Sequence, residues 1–128
     1  ELLAECRTLH GCETGKAKIT SGYHLPARFV LHTVGPIVQG SLTDEHRRLL
    51  ASCYESCLTL AAEHGLKSVA FCCISTGVFR FPKDEAAHIA VRTVQHWLDV
   101  HPAASIKRVI FDVFEDADRR IYENLLNA

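Results

Sequence analysis

The sequence KSVAFCCISTGVFRFP, residues Lys67–Pro82, decides the fold. It begins with an unbroken apolar run, Val69–Ile74, and alternate side chains of a strand point to opposite faces of its sheet. Both faces of this strand are therefore apolar, which is typical of a central, parallel strand that is covered on both sides. The run stops at Ser75, and a helical pattern begins after Pro82. The residues between them are predicted to form a loop at the carboxyl end of a central strand.

This loop is the best candidate for a ligand site, because open α/β sheets bind ligands at the carboxyl ends of their strands. The small residues Ser75, Thr76 and Gly77 would let backbone N–H groups approach a phosphate, and Gly77 can adopt dihedral angles that a β-carbon would forbid. The ring of Phe79 adds a surface for the sugar or base of a nucleotide, whereas Phe81 is expected to anchor the loop to the core. Two interpretations remain open from the residues alone, a phosphate cradle and a plain turn between strand and helix.

Helical and strand patterns alternate along the rest of the chain. Helices are predicted over Glu1–Leu9, Asp44–His64, about Pro82 to His101, where Pro102 follows, and Asp116–Leu126. Strands are predicted over Ala17–Thr20, Ala27–Val34, Val69–Ile74 and Lys107–Phe114. Thr43 is the predicted N-cap of the second helix. The alternation predicts an α/β fold, a three-layer α/β/α sandwich with a mixed sheet. Four strands are few for such a sheet, so further strands are expected upstream.

The composition is that of one ordinary globular domain. The chain has 128 residues, of which 48% are apolar and 23% charged. A net charge of −1 gives it no general attraction to nucleic acid or to an anionic membrane. No apolar run approaches membrane-spanning length, so we expect no membrane partner.

The cysteine pattern points to a reducing compartment. Six cysteines are present, but neighbours such as Cys72 and Cys73 on one strand point to opposite faces, and Cys53 and Cys57 share one helix face. We therefore expect small buried apolar side chains and a cytoplasmic location. A metal site is the weaker alternative, because no Cys/His quartet has zinc-finger spacing.

Catalytic groups are harder to identify than a binding loop. Asp112 lies in an apolar strand and is expected to be a paired structural carboxylate, with a general base as the alternative. His32 is expected to be a hydrogen-bonded core histidine. Phe114 ends the last strand, where core packing and stacking on a base both fit. The residues predict a nucleotide or phosphoester site and leave the catalytic residues unassigned.

Two stretches resemble the macrodomain family. GCETGKAKITSGYHLPARFVLHTVGPI, residues Gly11–Ile37, resembles the segment of macrodomains that reads TG-x-A-x-I-T, Y-x-LP and V-x-HTVGP. FCCISTGVFRFP, residues Phe71–Pro82, resembles their second ligand loop. The resemblance covers essentially the whole chain. Its paired cysteines are most similar to the zinc-dependent subgroup of protein-ADP-ribose hydrolases, and the MacroD type is the near alternative.

The resemblance implies an ADP-ribose site. The backbone N–H groups of Ser75, Thr76, Gly77, Val78 and Phe79 would bind the diphosphate, the Phe79 ring would lie against the distal ribose, and Phe114 would stack on adenine. The implied activity is that of a hydrolase that removes ADP-ribose from mono-ADP-ribosylated proteins. A non-catalytic reader of ADP-ribose and an O-acetyl-ADP-ribose deacetylase are the alternatives. The implied partners are ADP-ribose or an ADP-ribosylated protein.

The resemblance also implies what this stretch of chain does not hold. It contains no methionine and begins at Glu1, so we expect residues 1–128 to be the C-terminal portion of a single macrodomain. The family's first, glycine-rich loop would then lie upstream, and the chain alone would bind weakly and be inactive. We assign no cofactor and no zinc ligand within this chain. Zinc in the intact parent would be bound by residues upstream of Glu1.

Overall fold

The computed structural model describes residues 1–77, 79–113 and 115–127. Helices and strands follow one another in the predicted order, and most are shorter than predicted by one or a few residues. The elements are α1 (Leu2–Thr8), β1 (Ala17–Ser21), β2 (Phe29–Thr33), α2 (Asp44–Glu63), β3 (Ser68–Phe71), α3 (Lys83–Val100), β4 (Arg108–Phe111) and α4 (Asp116–Leu126).

The strands form two separate ladders. β1 and β2 pair antiparallel, from Ala17 opposite Thr33 to Ser21 opposite Phe29. β3 and β4 pair parallel, with the residues from Ser68 to Phe71 opposite those from Arg108 to Phe111. The predicted mixture of parallel and antiparallel pairing is therefore present. The prediction of a single sheet differs from the structure, because no ladder joins β2 to β3 in the part of the chain described. A cavity lies between those two strands.

Helix α2 holds the two ladders together. Its Ser52 hydroxyl donates to the Gly15 carbonyl, just before β1, over 2.7 Å. Its Tyr54 ring lies 4.9 Å, centroid to centroid, from Phe71 of β3. An apolar stripe of this helix, which includes the predicted face of Cys53 and Cys57, is buried; its residues are Leu50, Cys53, Tyr54, Cys57, Leu58 and Ala61. Helices α3 and α4 pack in succession beside α2 and cover the same side of the molecule.

Helix α1 contacts β1 and forms a third layer over the β1–β2 ladder. The Cys6 sulfur lies 3.8 Å from Nε2 of His32 on β2, and the same nitrogen lies 2.9 Å from the Thr20 hydroxyl of β1. His32 is thus hydrogen-bonded within the fold, as predicted. The β1–β2 half of the molecule is a sandwich of α1, a ladder and α2.

The β3–β4 ladder is covered on one face only. Val69 and Phe71 are buried, whereas Ser68, Ala70 and Cys72 are exposed. The prediction that both faces of the central strand are buried is therefore wrong, because aromatic side chains of α2 and α4 pack on the face of the ladder that carries Phe71. The strand also ends at Phe71, where the Asp112 N–H donates to its carbonyl over 2.7 Å. This end lies three residues before the predicted one.

The cysteines are all free, but they differ in burial. Cys53 and Cys57 are buried on the inner face of α2, as predicted. Cys72 is exposed, and the prediction that it is buried is wrong because it points to the uncovered face of β3. In the ranges that the model describes, no helix combines the length and the apolar character needed to cross a membrane.

Candidate functional site

The loop between β3 and α3 is folded tightly on itself. The Phe81 N–H donates to the Ser75 carbonyl over 2.8 Å, and the Arg80 N–H donates to the Gly77 carbonyl over 3.0 Å. The Phe81 side chain is only 2% exposed, so it fixes the loop to the core as predicted. These contacts give the loop a defined shape without using the N–H groups at its tip.

A second segment of the chain supports this loop from below. The Val38 N–H donates to the Phe79 carbonyl over 2.8 Å. A β-carbon added at Gly35 would lie 1.9 Å from Oγ of Ser75 and 2.7 Å from Cγ2 of Ile74, which no real contact allows. Gly35 is therefore the residue that lets the chain after β2 lie directly against the loop. Sequence reasoning missed this role, because the contact joins segments that are distant in the chain.

The N–H groups at the tip of the loop are free to bind a ligand. Those of Ser75, Thr76, Gly77 and Phe79 donate to none of the acceptors found among the described residues. A run of unpaired backbone N–H groups forms a concave site that attracts anions. Val78, also predicted to bind the diphosphate, lies outside the described residues. The assignment of these residues to a phosphate stays a prediction.

The residues of the loop that have a strained backbone differ from the predicted one. Ser75 and Arg80 have φ of +66° and +63°, in the left-handed region that residues with a β-carbon rarely occupy. Gly77, predicted to supply this freedom, is not among the residues with positive φ. A β-carbon added at Gly77 would meet no atom within 4 Å. Gly77 therefore leaves open space at the tip of the loop, and Ser75 and Arg80 make the turns.

The Ser75 hydroxyl is buried and has no hydrogen-bond partner among the described residues. Buried polar groups in proteins are almost always paired, and an exception often marks a functional position. This oxygen lies in the same loop as the free N–H groups, in a residue with a strained backbone. Both features lie at Ser75, and its role in ligand binding stays a prediction.

The surroundings of the loop carry both signs of charge. Helix α3 begins directly after it, and the N-terminus of a helix favours anions. Asp84 and Glu85 in the first turn of α3 offset part of this effect. Lys83 binds Glu115 over 2.6 Å and lies 3.7 Å from the buried Asp118, so it ties the loop to the start of α4.

Phe114 immediately precedes Glu115, the residue that binds Lys83, and it lies outside the described residues. Its assignment as the adenine-stacking ring stays a prediction. Its neighbour Asp112 is exposed, and no cation among the described residues forms a salt bridge with it. The prediction that Asp112 is a paired carboxylate is therefore wrong, because it comes after the last residue of β4, at the rim of the ladder.

The loop is suited to binding, and its nearest thiol is not a nucleophile. Burial raises the pKa of Cys73 to about 11, so this thiol keeps its proton at neutral pH. Over residues 1–77, 79–113 and 115–127, no three His, Cys, Asp or Glu side chains are grouped so that they could hold a metal ion. The arrangement can therefore bind an anion through backbone groups, and the catalytic residues stay unassigned.

Comparison with known proteins gives one family. The family model described as "Macro domain" matches residues 1–90. The chain is 54% identical to ADP-ribose glycohydrolase MACROD2 of Xenopus laevis, over 98% of this chain and 30% of that protein. It is 53% identical to a protein-ADP-ribose hydrolase of Treponema medium, over 92% of this chain and 44% of that protein. The chain thus spans less than half of the length of these curated relatives.

Solved structures of macrodomains are similar to this chain over nearly its whole length. The macro domain of ganglioside induced differentiation associated protein 2 superposes with a TM-score of 0.91 at 40% identity, over 98% of this chain and 61% of that one. A Trypanosoma brucei macrodomain in complex with ADP-ribose gives a TM-score of 0.88 at 40% identity, over 98% of this chain and 51% of that one. These similarities confirm the predicted α/β/α fold class.

Proposed function

Because the chain belongs to the Macro domain family, we propose that it binds ADP-ribose and serves in the hydrolytic removal of ADP-ribose from mono-ADP-ribosylated proteins. Relatives at 53–54% identity are named ADP-ribose glycohydrolase and protein-ADP-ribose hydrolase. A similar macrodomain was solved with ADP-ribose bound. These names support both binding and hydrolysis.

The observation that carries the proposal is the row of free N–H groups at Ser75, Thr76, Gly77 and Phe79. A diphosphate has enough oxygens to accept from several of them at once, and hydrogen bonds to a charged acceptor are the stronger kind. The start of α3 adds a favourable dipole. We propose that these groups fix the diphosphate.

Fixing the diphosphate would position the rest of the ligand. Phe79 is half-buried at the end of the row, and its ring would lie against the distal ribose. The ribose would then be held with its anomeric carbon facing an attacking water, so that the binding energy serves to orient the reacting atoms. The same pocket would accommodate O-acetyl-ADP-ribose, whose deacetylation is the second candidate activity. The loop's residues are binding groups in this scheme, and no catalytic residue is assigned.

Two narrower assignments stay predictions. The named relatives MACROD1 and MACROD2 are of the MacroD type, which was the near alternative to the zinc-dependent subgroup. The described residues offer no set of ligands that fits zinc, so no step is assigned to a metal. A cytoplasmic location still follows only from the free cysteines.

Binding is tested by titrating the complete translated product of the gene with ADP-ribose in a calorimeter, because the chain alone is expected to bind weakly. Gly77→Ala adds a methyl group where no atom of the described residues lies within 4 Å, so we expect the melting temperature to stay unchanged. The methyl group would occupy space at the tip of the loop that the ligand needs, so we expect the affinity to fall by about tenfold. Gly65→Ala is the matched control, because its φ of +66° makes any side chain costly. That variant should lose stability and keep its affinity. Equal affinities in Gly77→Ala and the parent would overturn the role of the loop.

Hydrolysis needs a separate assay, since a reader would also bind. A protein carrying labelled mono-ADP-ribose is incubated with the 128-residue chain and, in parallel, with the complete translated product of its gene. We expect the complete product to release the label and the chain alone to leave it in place. If the complete product binds free ADP-ribose tightly but leaves the label on the protein, the hydrolase function is wrong and the reader function is favoured.

A further inference from the structure

Arg80 is the exposed cation of the loop between β3 and α3, the ligand loop, and its backbone is strained. Its φ of +63° lies in the left-handed region, where a β-carbon costs free energy. The Arg80 N–H donates to the Gly77 carbonyl over 3.0 Å and so closes the tip of the loop. Glycine would make the same turn without strain, so the fold alone does not require a long cationic side chain here. Strained residues of this kind cluster at functional sites.

The neighbouring cations are paired, and Arg80 is not. Lys83 binds Glu115 of α4 over 2.6 Å, and Arg47 of α2 binds Glu85 of α3. No carboxylate in residues 1–77, 79–113 and 115–127 forms a salt bridge with Arg80. The ligand loop therefore presents a positive charge to solvent that these parts of the chain do not neutralise.

Arg80 lies at the end of the loop where a modified protein would be attached. In the proposed binding mode the ring of Phe79, the preceding residue, lies against the distal ribose. An ADP-ribosylated protein is joined to the ligand at the anomeric carbon of that ribose. The polypeptide of the target would therefore leave the site beside Phe79 and Arg80. This step rests on the proposed function.

Ile37 adds an apolar contact on the same side of the loop. The Val38 N–H donates to the Phe79 carbonyl over 2.8 Å, which brings Ile37 close to the loop. Ile37 is 51% exposed, although isoleucine is among the residues most often buried. An exposed apolar side chain beside an exposed cation is complementary to a polypeptide that carries apolar and acidic residues.

We propose that Arg80 is a specificity-determining residue, which selects target proteins that carry a carboxylate close to the ADP-ribosylated residue. This carboxylate belongs to a neighbouring aspartate or glutamate and is not the group that carries ADP-ribose. A guanidinium donates two parallel hydrogen bonds to a carboxylate, which gives the contact a defined geometry. The N–H groups of the loop would bind what all ADP-ribosylated proteins share, and Arg80 would bind what differs among them.

The test compares two peptides that carry the same ADP-ribose and differ in charge. ADP-ribose is attached to a central cysteine, because a thioglycoside resists hydrolysis. The flanking residues are glutamates in one peptide and glutamines in the other, and each peptide displaces fluorescent ADP-ribose from the complete translated product of the gene. We expect the acidic peptide to bind about threefold to fivefold more tightly, the range of an exposed ion pair. The preference should disappear when the salt concentration is raised from about 0.05 M to about 0.5 M.

A pair of variants assigns the preference to Arg80. Arg80→Gly removes the charge and the strained φ, so it should melt at least as high as the parent and lose the preference. Arg80→Lys keeps the charge without the planar guanidinium, and we expect it to keep part of the preference. Free ADP-ribose has no flanking residues, so it should bind all three proteins within about twofold.

Three results would overturn the proposal. The first is equal affinity of the parent for the two peptides at low salt. The second is a preference that persists in Arg80→Gly. The third is a loss in Arg80→Gly that is as large for free ADP-ribose as for the acidic peptide, because Arg80 would then bind the diphosphate. The proposed function stands in all three cases, since free ADP-ribose binds the parent; if it does not bind, the proposed function is wrong and this proposal with it.

Discussion

At the scale of single residues, the contact between Gly35 and Ser75 joins the two halves of the molecule. It brings the chain after β2 against the ligand loop, and it leaves no room for a β-carbon at residue 35. Ser75 meets this approach with a φ of +66° and a buried hydroxyl that has no partner. Ser75 therefore accepts an unfavourable local state where the two segments meet, and Gly35 supplies the space for it.

Gly35→Ala should lower the free energy of unfolding by about 1–3 kcal/mol, because the new methyl group would overlap Oγ of Ser75. Adding Ser75→Gly removes that oxygen and the strained φ, so the double variant should recover part of the loss. Urea unfolding of the four proteins in this double-mutant cycle gives the coupling. Strictly additive losses would show that the two residues do not contact each other.

At the scale of elements, α2 begins with a capping box. The His46 N–H donates to the Thr43 hydroxyl over 3.3 Å, and the Thr43 N–H donates to Nδ1 of His46 over 3.1 Å. Histidine takes the place that glutamate or glutamine usually has in this motif. The predicted N-cap at Thr43 is thereby confirmed.

Thr43→Ala should cost about 1 kcal/mol of stability, or about 4 °C in melting temperature, since it leaves the His46 N–H without its acceptor. Thr43→Ser keeps the hydroxyl and should melt within about a degree of the parent. Thermal melts followed by far-ultraviolet circular dichroism, which reports helix, decide between them. Identical melts of the alanine and serine variants would contradict a stabilising cap.

Helices were easier to predict from sequence than strands. The stripe in α2 recurs every three to four residues and has a capping signal, so both its burial and its start follow from local chemistry. The end of β3 does not, because the apolar run continues to Ile74 whereas pairing stops at Phe71. Where a strand ends depends on the length of its partner, β4, which is distant in the chain.

At the scale of the whole molecule, burial of thiols makes stability depend on alkaline pH. Burial raises the pKa of Cys57 to about 12 from an ordinary value of 9.0. Below pH 9 the thiol is protonated in both the folded and the unfolded chain, and it contributes no pH dependence. Above pH 9 the unfolded chain loses this proton and the folded chain keeps it, so stability falls as pH rises toward 12.

Cys57 alone should lower the free energy of unfolding by about 1.4 kcal/mol per pH unit within this window. Urea unfolding at pH 8, 9, 10 and 11 with a reductant measures the slope. Cys57→Ala removes the group, so its slope should be shallower, although it starts from a lower stability. Parallel slopes for the two proteins would show that Cys57 ionises equally well when folded.

The fold class could be predicted from sequence, and the division of the sheet could not. Alternating apolar patterns indicate helices and strands, but they do not say which strands are neighbours. The exposed Ala70 and Cys72 look like core residues in the sequence, because exposure depends on which helices cover the ladder. At the candidate site, the loop and its anchor Phe81 were predictable from local pattern. The support from Gly35 is a contact between distant segments.

The position of α2 also governs how the molecule melts. With no ladder joining β2 to β3 among the described residues, the two halves communicate through side chains of α2 and through the loop contacts of Gly35 and Val38. Side-chain contacts couple two regions less rigidly than a shared ladder of backbone bonds does. The buried cluster nevertheless runs through both halves, so the antiparallel and the parallel half are set up to melt in one cooperative step.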